Sequence, residues 1–364
     1  MVVQIKGLIL AGGLGKRLRP LTHTGPKQLI PVANKPVVHY CIEDLVNVGI
    51  KDIGIIVGYT KKRIDSIKKA IGDGSQWGVK INYIEQDAPR GLAHAVWIAR
   101  DFLGDDDFVV YLGDNILKGG IKHFVEKFEN SSADVSLLLS EVKNPENFGI
   151  AMLNGSGDVI KVEEKPKHPK SNYAITGIYM FRPTIFKFIE SLQPSHKGEL
   201  ELTHSIQKLI EARQYKVSSH FVKGWWDDAG TVEDILHANQ MILSDIDGSE
   251  NNGIAEEDVK MLGNVKIGEG SVIKKGSEIK GPVIIGKNCK IGPNVYIGPY
   301  TSIGDNTTII NGEIESSIII GDCMINFDGK IIESLIGRHC NITSRKKSPK
   351  GYRLVVGENS YINL

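Results

Sequence analysis

The sequence predicts two architectures in series: an α/β domain with a mostly parallel sheet, then a parallel β-helix. Two observations carry this. From Ile5 to about Leu243, short apolar runs alternate with amphipathic helical patterns, the order expected of parallel strands joined by crossover helices on both faces. Further on, Ile267, Ile273, Ile279, Ile285, Ile291, Ile297, Ile303 and Ile309 recur at six-residue spacing, with glycine directly following at Gly268, Gly286, Gly292, Gly298 and Gly304. A period of six fits neither a helix nor a hairpin sheet. It is the signature of a hexapeptide β-helix, whose isoleucines point into a prism. Between the two halves, Ser244 to Lys260 reads SDIDGSENNGIAEEDVK, polar and acidic without an apolar period. The expected division is therefore a domain over 1–243, a linker over 244–260 and a β-helix over 261–364.

The elements follow in order. Ile5 to Leu10 is a strand that runs into glycines. Lys35 to Val48 is a helix with Val38, Ile42, Leu45 and Val46 on one stripe. Ile53 to Val57 is a strand, Ile64 to Ile71 a helix, Val79 to Ile84 a strand, Leu92 to Phe102 a helix and Phe108 to Leu112 a strand. Ligands on such sheets bind at the carboxyl ends of the strands. Beyond Ile309 the period slips: Ile314 and Ile320 are six apart but displaced by one, and Ile336-Gly337 resumes the phrase. Thr343 to Gly351 is a basic loop, and Val355 to Ile362 closes the stack.

Composition narrows the class. With 44 Lys+Arg against 43 Asp+Glu in 364 residues, nucleic-acid binding by phosphate attraction is not expected. A local basic pocket for a small anion remains open. Cys41, Cys289, Cys323 and Cys340 form no C-x-x-C pair, which argues against a zinc site and for a reduced, cytoplasmic protein. No stretch is long and apolar enough to span a membrane, and the apolar run Gly7 to Ala11 is too short for a signal peptide.

The strongest chemical signal is the run from Leu10 to Pro20, LAGGLGKRLRP. Glycines after a buried strand let backbone N–H groups approach a phosphate chain, and Arg17 and Lys27 add positive charge for its oxygens. Lys16 is followed by Arg17 rather than Ser or Thr, so this is not a P-loop; Leu18 stands where a dinucleotide fingerprint has its third glycine. The glycines alone describe a tight turn as readily as a phosphate site. Other polar clusters stand beside apolar strands: Pro26-Lys27-Gln28-Leu29-Ile30-Pro31, Gly113-Asp114-Asn115, Glu163-Glu164-Lys165-Pro166, and Trp225 to Thr231.

With these motifs, in this order, the chain resembles the sugar-nucleotide pyrophosphorylases over essentially its whole length. Within that family it is most similar to the long, β-helix-bearing glucose-1-phosphate thymidylyltransferases. LAGG-x-G-x-R-L points to the superfamily; KQL-x-P together with SNYAITGIY points to the thymidylyl subgroup. The resemblance implies a Rossmann-like nucleotidyltransferase fold and a left-handed β-helix. It also implies transfer of a thymidylyl group from dTTP to glucose 1-phosphate. The sugar phosphate is already anionic, so the reaction needs alignment and charge neutralisation rather than a strong base.

Residue by residue, the resemblance assigns Arg17, Lys27, Asp114 and Lys165 to catalysis. Leu8, Gly12, Gly13, Gly15, Gln28, Gln86, Gly91 and Leu92 fall to the nucleotide, with the two glutamines reading the base edge. Gly149, Glu164, Lys165, Ile175, Gly177 and Lys197 fall to the sugar phosphate, and Asp114 and Asp228 to Mg²⁺. Lys197 stands where the family commonly has Arg, which keeps the charge but loses the two-pronged geometry. Asp227 beside Asp228 leaves two candidate carboxylates, of which the spacing to Gly230-Thr231 favours Asp228.

Rival readings come from other classes. UTP would use the same glutamines. The β-helix is expected to mediate a homo-oligomer; alternatively it carries an acetyltransferase activity, for which His339 is the only histidine after His237. A scaffold with a dead domain would lack Arg17, Lys27 or Asp114, all of which are present. Cys41, Trp77, Trp97, His39 and His94 are expected to pack.

Overall fold

A computed structural model describes residues 5–344. Most of the basic segment from Thr343 and the expected closing strand Val355 to Ile362 lie outside the described residues. The chain folds as two compact units. The first contains the chain up to Leu14, Gly25–Leu29 and Val37–Asp228; the second contains Gly15–Thr24, Ile30–Pro36 and the chain from Ala229 on.

The first unit is built on a nine-stranded sheet. Its strands are β1 (Ile5–Leu10), β2 (Asp52–Val57), β3 (Lys80–Glu85), β4 (Asp107–Leu112), β5 (Val135–Glu141), β6 (Gly149–Leu153), β7 (Val159–Glu164), β8 (Tyr173–Phe181) and β9 (Val217–Phe221). The main path runs β7-β6-β8-β4-β1-β2-β3, with β5 on β8 and β9 on β5. Strands β3, β2, β1 and β4 are all parallel, as the alternating pattern requires. The other half turns antiparallel around β8, which pairs that way with β4, β5 and β6. Strands β6 and β7 are joined by the short turn Asn154 to Asp158, too short for a crossover, and so they pair as a hairpin.

Alternation along β1 divides the core in two. Leu8 and Leu10 face α3 (Leu92–Trp97), α5 (Ile185–Glu190) and α6 (Leu202–Glu211). Ile9 and Ala11 face α1 (Val37–Asn47), α2 (Lys61–Ile71) and α4 (Lys122–Glu129). Helices thus cover both faces, and the carboxyl end of β1 opens into the glycine loop. Two expected helices change at their ends. The first starts at Val37, because Lys35-Pro36 pairs with Pro31-Val32 in a hairpin whose tip, Ala33-Asn34, has positive φ at both residues. The span Leu92 to Phe102 is two pieces, Leu92–Trp97 and Arg100–Leu103.

In the second unit, α7 (Val232–Ser244) opens with a capping box in which Thr231 and Asp234 bond each other's backbone N–H. The β-helix advances 18 residues per coil where Val265, Val283 and Thr301 stack. Its inward isoleucines, Ile273, Ile279, Ile291, Ile297, Ile303 and Ile309, have no exposed surface. The glycine after the isoleucine has a steric cause: a Cβ on Gly268 would lie 2.6 Å from the Gly286 carbonyl oxygen of the next coil.

Two readings of this region are corrected. Strands Glu250–Asn251 and Ile254–Ala255 pair with Lys266–Ile267 and Val272–Ile273, so the stack begins inside the segment read as a linker. That first coil is an edge whose inward position on one face holds Ala255 rather than isoleucine, which is why the period was invisible. After Ile309 the coils shorten. Ile314 stacks under Ile297 and Ile319 under Ile303, both essentially buried. Ile320 is displaced to the corner, where its carbonyl oxygen approaches Gly304. Ile319→Ala is therefore expected to destabilise the β-helix by about 2–5 kcal/mol, and Ile320→Ala by less than half as much, as read from urea denaturation. Equal losses would contradict the register.

Candidate active site

The loop after β1 and the residue after β2 cross at close range. A Cβ on Gly58 would lie 3.2 Å from the Gly12 carbonyl oxygen, and one on Gly12 would lie 3.0 Å from Gln86 Oε1. Glycine at both places lets two backbones and an amide side chain share a space that any side chain would fill. A Cβ on Gly13 would stand 3.7 Å from both Gln28 Nε2 and the Lys27 side chain. The structure thus brings Gly12, Gly13, Lys27, Gln28 and Gln86 into one neighbourhood within the first unit. Arg63, on α2, fastens the loop's edge by donating to the carbonyls of Leu14 (3.0 Å) and Gly13 (3.3 Å).

Lys27 reaches across to Asp114 and forms an ion pair with its carboxylate. Asp114 sits just past β4, and Asn115 donates to its Oδ1 at 3.0 Å. Asn115 is buried and in turn accepts from the Trp226 indole at 2.6 Å. Trp226-Asp227 pairs antiparallel with Ile116-Leu117, Asp227 opposite Ile116. Asp228 follows directly after that paired strand. A carboxylate such as that of Asp114 suits a hard divalent cation that keeps waters and takes further ligands from phosphates. Among the described residues no group of three or more His, Cys, Asp or Glu could hold a metal without such help.

The sugar-side candidates also converge. Gly149 pairs with Glu164 across β6 and β7. A Cβ on Gly149 would lie 3.3 Å from Glu164 Oε2 and 3.7 Å from Ile175 Cδ1. Thr203 Oγ1 donates to the same Glu164 oxygen at 3.1 Å. Lys165 is half-exposed in a left-handed conformation, with its ammonium 3.9 Å from Glu164 Oε1. Gly177, also at positive φ, comes within 3.2 Å of Asn115 Nδ2 at the position of its absent Cβ and so ties this cluster to Asp114. Gly91 has φ +99 and would place a Cβ 2.5 Å from the Leu200 carbonyl oxygen, so it admits no side chain; Leu92 follows it at the start of α3.

Other candidates fall elsewhere. Leu8 has no exposed surface and packs in the core, so it supports the site from beneath instead of lining a pocket. Gly15 and Arg17 belong to the second unit. There Gly15 adopts φ +63 ahead of the short turn Lys16–Leu18, which presents an exposed Arg17. Lys197 is exposed on a turn stabilised by its backbone bond to Ser195 Oγ at 3.3 Å. His339 is exposed at a left-handed corner of the β-helix.

One packing assignment changes. His94 lies 3.3 Å from Gln86 Nε2 through its Nδ1. Burial pushes its pKa below the usual 6.5, against an opposing pull from Asp87. A neutral Nδ1 can accept from the amide, which turns Gln86 Oε1 toward Gly12. His39 and Trp97 do pack, edge-on against Trp77 and Phe186. The sequence assigns Asn115 and Arg63 no role of their own and His94 only a packing one; Asn115 alone carries a signal, its place in Gly-Asp-Asn.

The Nucleotidyl transferase family profile matches residues 6–245, and the bacterial transferase hexapeptide profile matches 264–299 and 282–312. The chain belongs to the nucleotidyl transferase family. This enzyme is 48% identical over 361 residues to the low-salt glycan biosynthesis nucleotidyltransferase Agl11 of Haloferax volcanii, covering 99% of this chain and 100% of that one. It is 43% identical to a glucose-1-phosphate thymidylyltransferase of Streptomyces griseus, over 98% of each chain. A crystal structure of a putative glucose-1-phosphate thymidylyltransferase from Bacillus anthracis in complex with a sucrose superposes with a TM-score of 0.62 at 39% identity, covering 68% of this chain and 98% of that one. No helix among the described residues is long and apolar enough to cross a membrane.

The His94–Gln86 contact sets a pH dependence. A folded-state pKa held below 6.5 means that the bond is fully present above that pH and is lost as pH falls toward the folded value. The KM for the nucleotide is expected to rise below about pH 6.5 and to rise less in His94→Asn, which cannot charge. Parallel profiles in the two enzymes would remove His94 from this role.

Proposed function

We propose that this enzyme transfers the thymidylyl group of dTTP to glucose 1-phosphate, yielding dTDP-glucose and pyrophosphate. The observation that carries the reading is Gln28. Its side chain is 1% exposed, and its buried Oε1 has no hydrogen-bond partner among the described residues. A buried amide oxygen without a donor is costly, and the N3–H of a thymine supplies one. Gln86, aimed over Gly12 by His94, provides a second amide for the same edge. The name of the Streptomyces griseus relative agrees with this reading.

In this account a phosphate oxygen of glucose 1-phosphate forms a bond to the α-phosphorus. The bond from the α-phosphorus to the bridging oxygen breaks, and pyrophosphate departs with the electron pair. Arg17 and Lys27 stabilise charge that grows on the triphosphate oxygens. Lys165 and Lys197 hold the sugar's phosphate, and Glu164, steadied by Thr203, accepts from sugar hydroxyls. Asp114 and Asp228 would hold Mg²⁺, which when bound neutralises the phosphate oxygens. No proton need move, so the work of the protein is alignment and charge placement.

The alternative is a UTP-using or broad-specificity enzyme, since uracil presents the same edge to both glutamines. Pyrophosphate release separates the two. With Mg²⁺ and glucose 1-phosphate, dTTP is expected to yield pyrophosphate well above a control without sugar. The proposal fails if dTTP gives none while another triphosphate does.

A further inference from the structure

Strand β8 changes neighbours part-way along one edge. On that edge it pairs with β6 at Tyr173 and Ala174, and with β4 from Ile178 to Phe181. Along its other edge a single strand, β5, runs beside it. The change of partner falls at Ile175 to Gly177. These residues therefore stand between the strand that carries Gly149 and the strand that leads into Asp114.

The same place holds a bulge. Ile175 lies opposite Leu139 of β5 and Tyr179 opposite Leu137, so Thr176, Gly177 and Ile178 together face Leu138 alone. Bulges re-aim side chains beside active sites, and this one aims in two directions. At its start, Ile175 Cδ1 lies 3.7 Å from where a Cβ on Gly149 would stand. At its crest Gly177, with φ +75, presses on β4: a Cβ there would lie 2.7 Å from Leu112 Cδ1 and 3.2 Å from Asn115 Nδ2. That amide is the one that donates to Asp114 Oδ1 at 3.0 Å.

One side chain spans the bulge. Thr176 is fully buried, and its Oγ1 donates at 3.1 Å to the carbonyl of Leu138, which is fully buried as well. Thr176 thus bonds to the one residue that the bulged segment is set against. A buried carbonyl that loses its donor is costly, so the hydroxyl resists any flattening of the bulge. With no exposed surface, Thr176 acts on the reaction only through its neighbours.

We infer that Thr176 is a positioning residue for nucleotidyl transfer. Its hydroxyl fixes the bulge, and with it the spacing between the sugar contacts at Gly149, Ile175 and Gly177 and the carboxylate of Asp114. All of these residues lie within the first unit. The inference rests on the sugar and metal roles proposed for them. In that reading the sugar brings the attacking phosphate and Asp114 helps to place the triphosphate, so this spacing sets the distance over which the new bond forms. Displacements of about 1 Å in such groups cost on the order of 10²-fold in rate. A smaller shift of the bulge is therefore enough to be read in kcat.

Substitutions at this one position separate positioning from a role in folding alone. Thr176→Val keeps the β-branched shape and removes the donor, whereas Thr176→Ser keeps the hydroxyl. Thr176→Cys offers a weaker donor and replaces Thr176→Val in every comparison if that variant does not fold. Thr176→Val is expected to lower kcat about ten-fold and to raise KM for the sugar phosphate, leaving KM for the triphosphate near wild type. Thr176→Ser is expected to recover most of the loss. Titration calorimetry with the nucleotide-sugar product involves no turnover and is expected to show several-fold weaker binding to Thr176→Val. The assays use whichever triphosphate and sugar phosphate the wild type turns over, so failure of dTTP or glucose 1-phosphate counts against the proposed substrates and not against Thr176. Wild-type kcat and product affinity in folded Thr176→Val, whatever its thermal midpoint, would overturn the inference. So would equal rises in KM for both substrates, or a Thr176→Ser variant no better than Thr176→Val.

Discussion

The site depends on one ion pair. Lys27 and Asp114 meet with side chains only 15% and 16% exposed, a setting where two opposite charges need each other and little water helps either. Breaking such a pair by removing one partner leaves a charge stranded, which costs far more than the loss of a surface bridge. The pair therefore holds the short segment Gly25–Leu29, which carries Lys27, against the end of β4 that carries Asp114. In the proposed reaction a triphosphate with its cation would offer Lys27 phosphate oxygens and Asp114 a metal, so each charge would exchange its present partner for a stronger one.

Around this pair the sheet supplies rigidity. Four parallel strands end on one side, and the glycines after β1 and β2 let their loops cross almost backbone to backbone. Behind Asp114, Asn115 and Trp226 form a buried relay that sets the carboxylate's orientation. Behind Gln86, His94 does the same for an amide. None of these supporting groups needs to touch a substrate. They remove alternatives, which is what a reaction without proton transfer requires of a protein.

Legibility in the sequence followed the physics of repetition. The isoleucine prism could be read because every coil makes the same contact, until the coils shortened and Ile319 took the place that spacing gave to Ile320. The first coil went unread because an edge strand buries less and tolerates Ala255. The glycine loop, Lys27, Gln28 and Glu164 stand out as clusters because charged, amide and glycine residues gather beside apolar strands; the roles expected of Gln28 and Glu164 come from the family resemblance. Their partners do not stand out. Lys27 and Asp114 are distant in sequence, and nothing local to His94 or Arg63 announces the amide or loop that each one holds. Leu8 errs the other way: it belongs to the motif but lies in the core.

The central claim is that catalysis runs through charge held at Asp114. The most direct measurement is the Mg²⁺-dependent turnover of Asp114→Asn, with circular dichroism to confirm the fold. The amide keeps the shape and gives up the charge. The account predicts a fall of about two orders of magnitude or more that added Mg²⁺ does not repair. Turnover near that of the wild type at ordinary Mg²⁺ would contradict it.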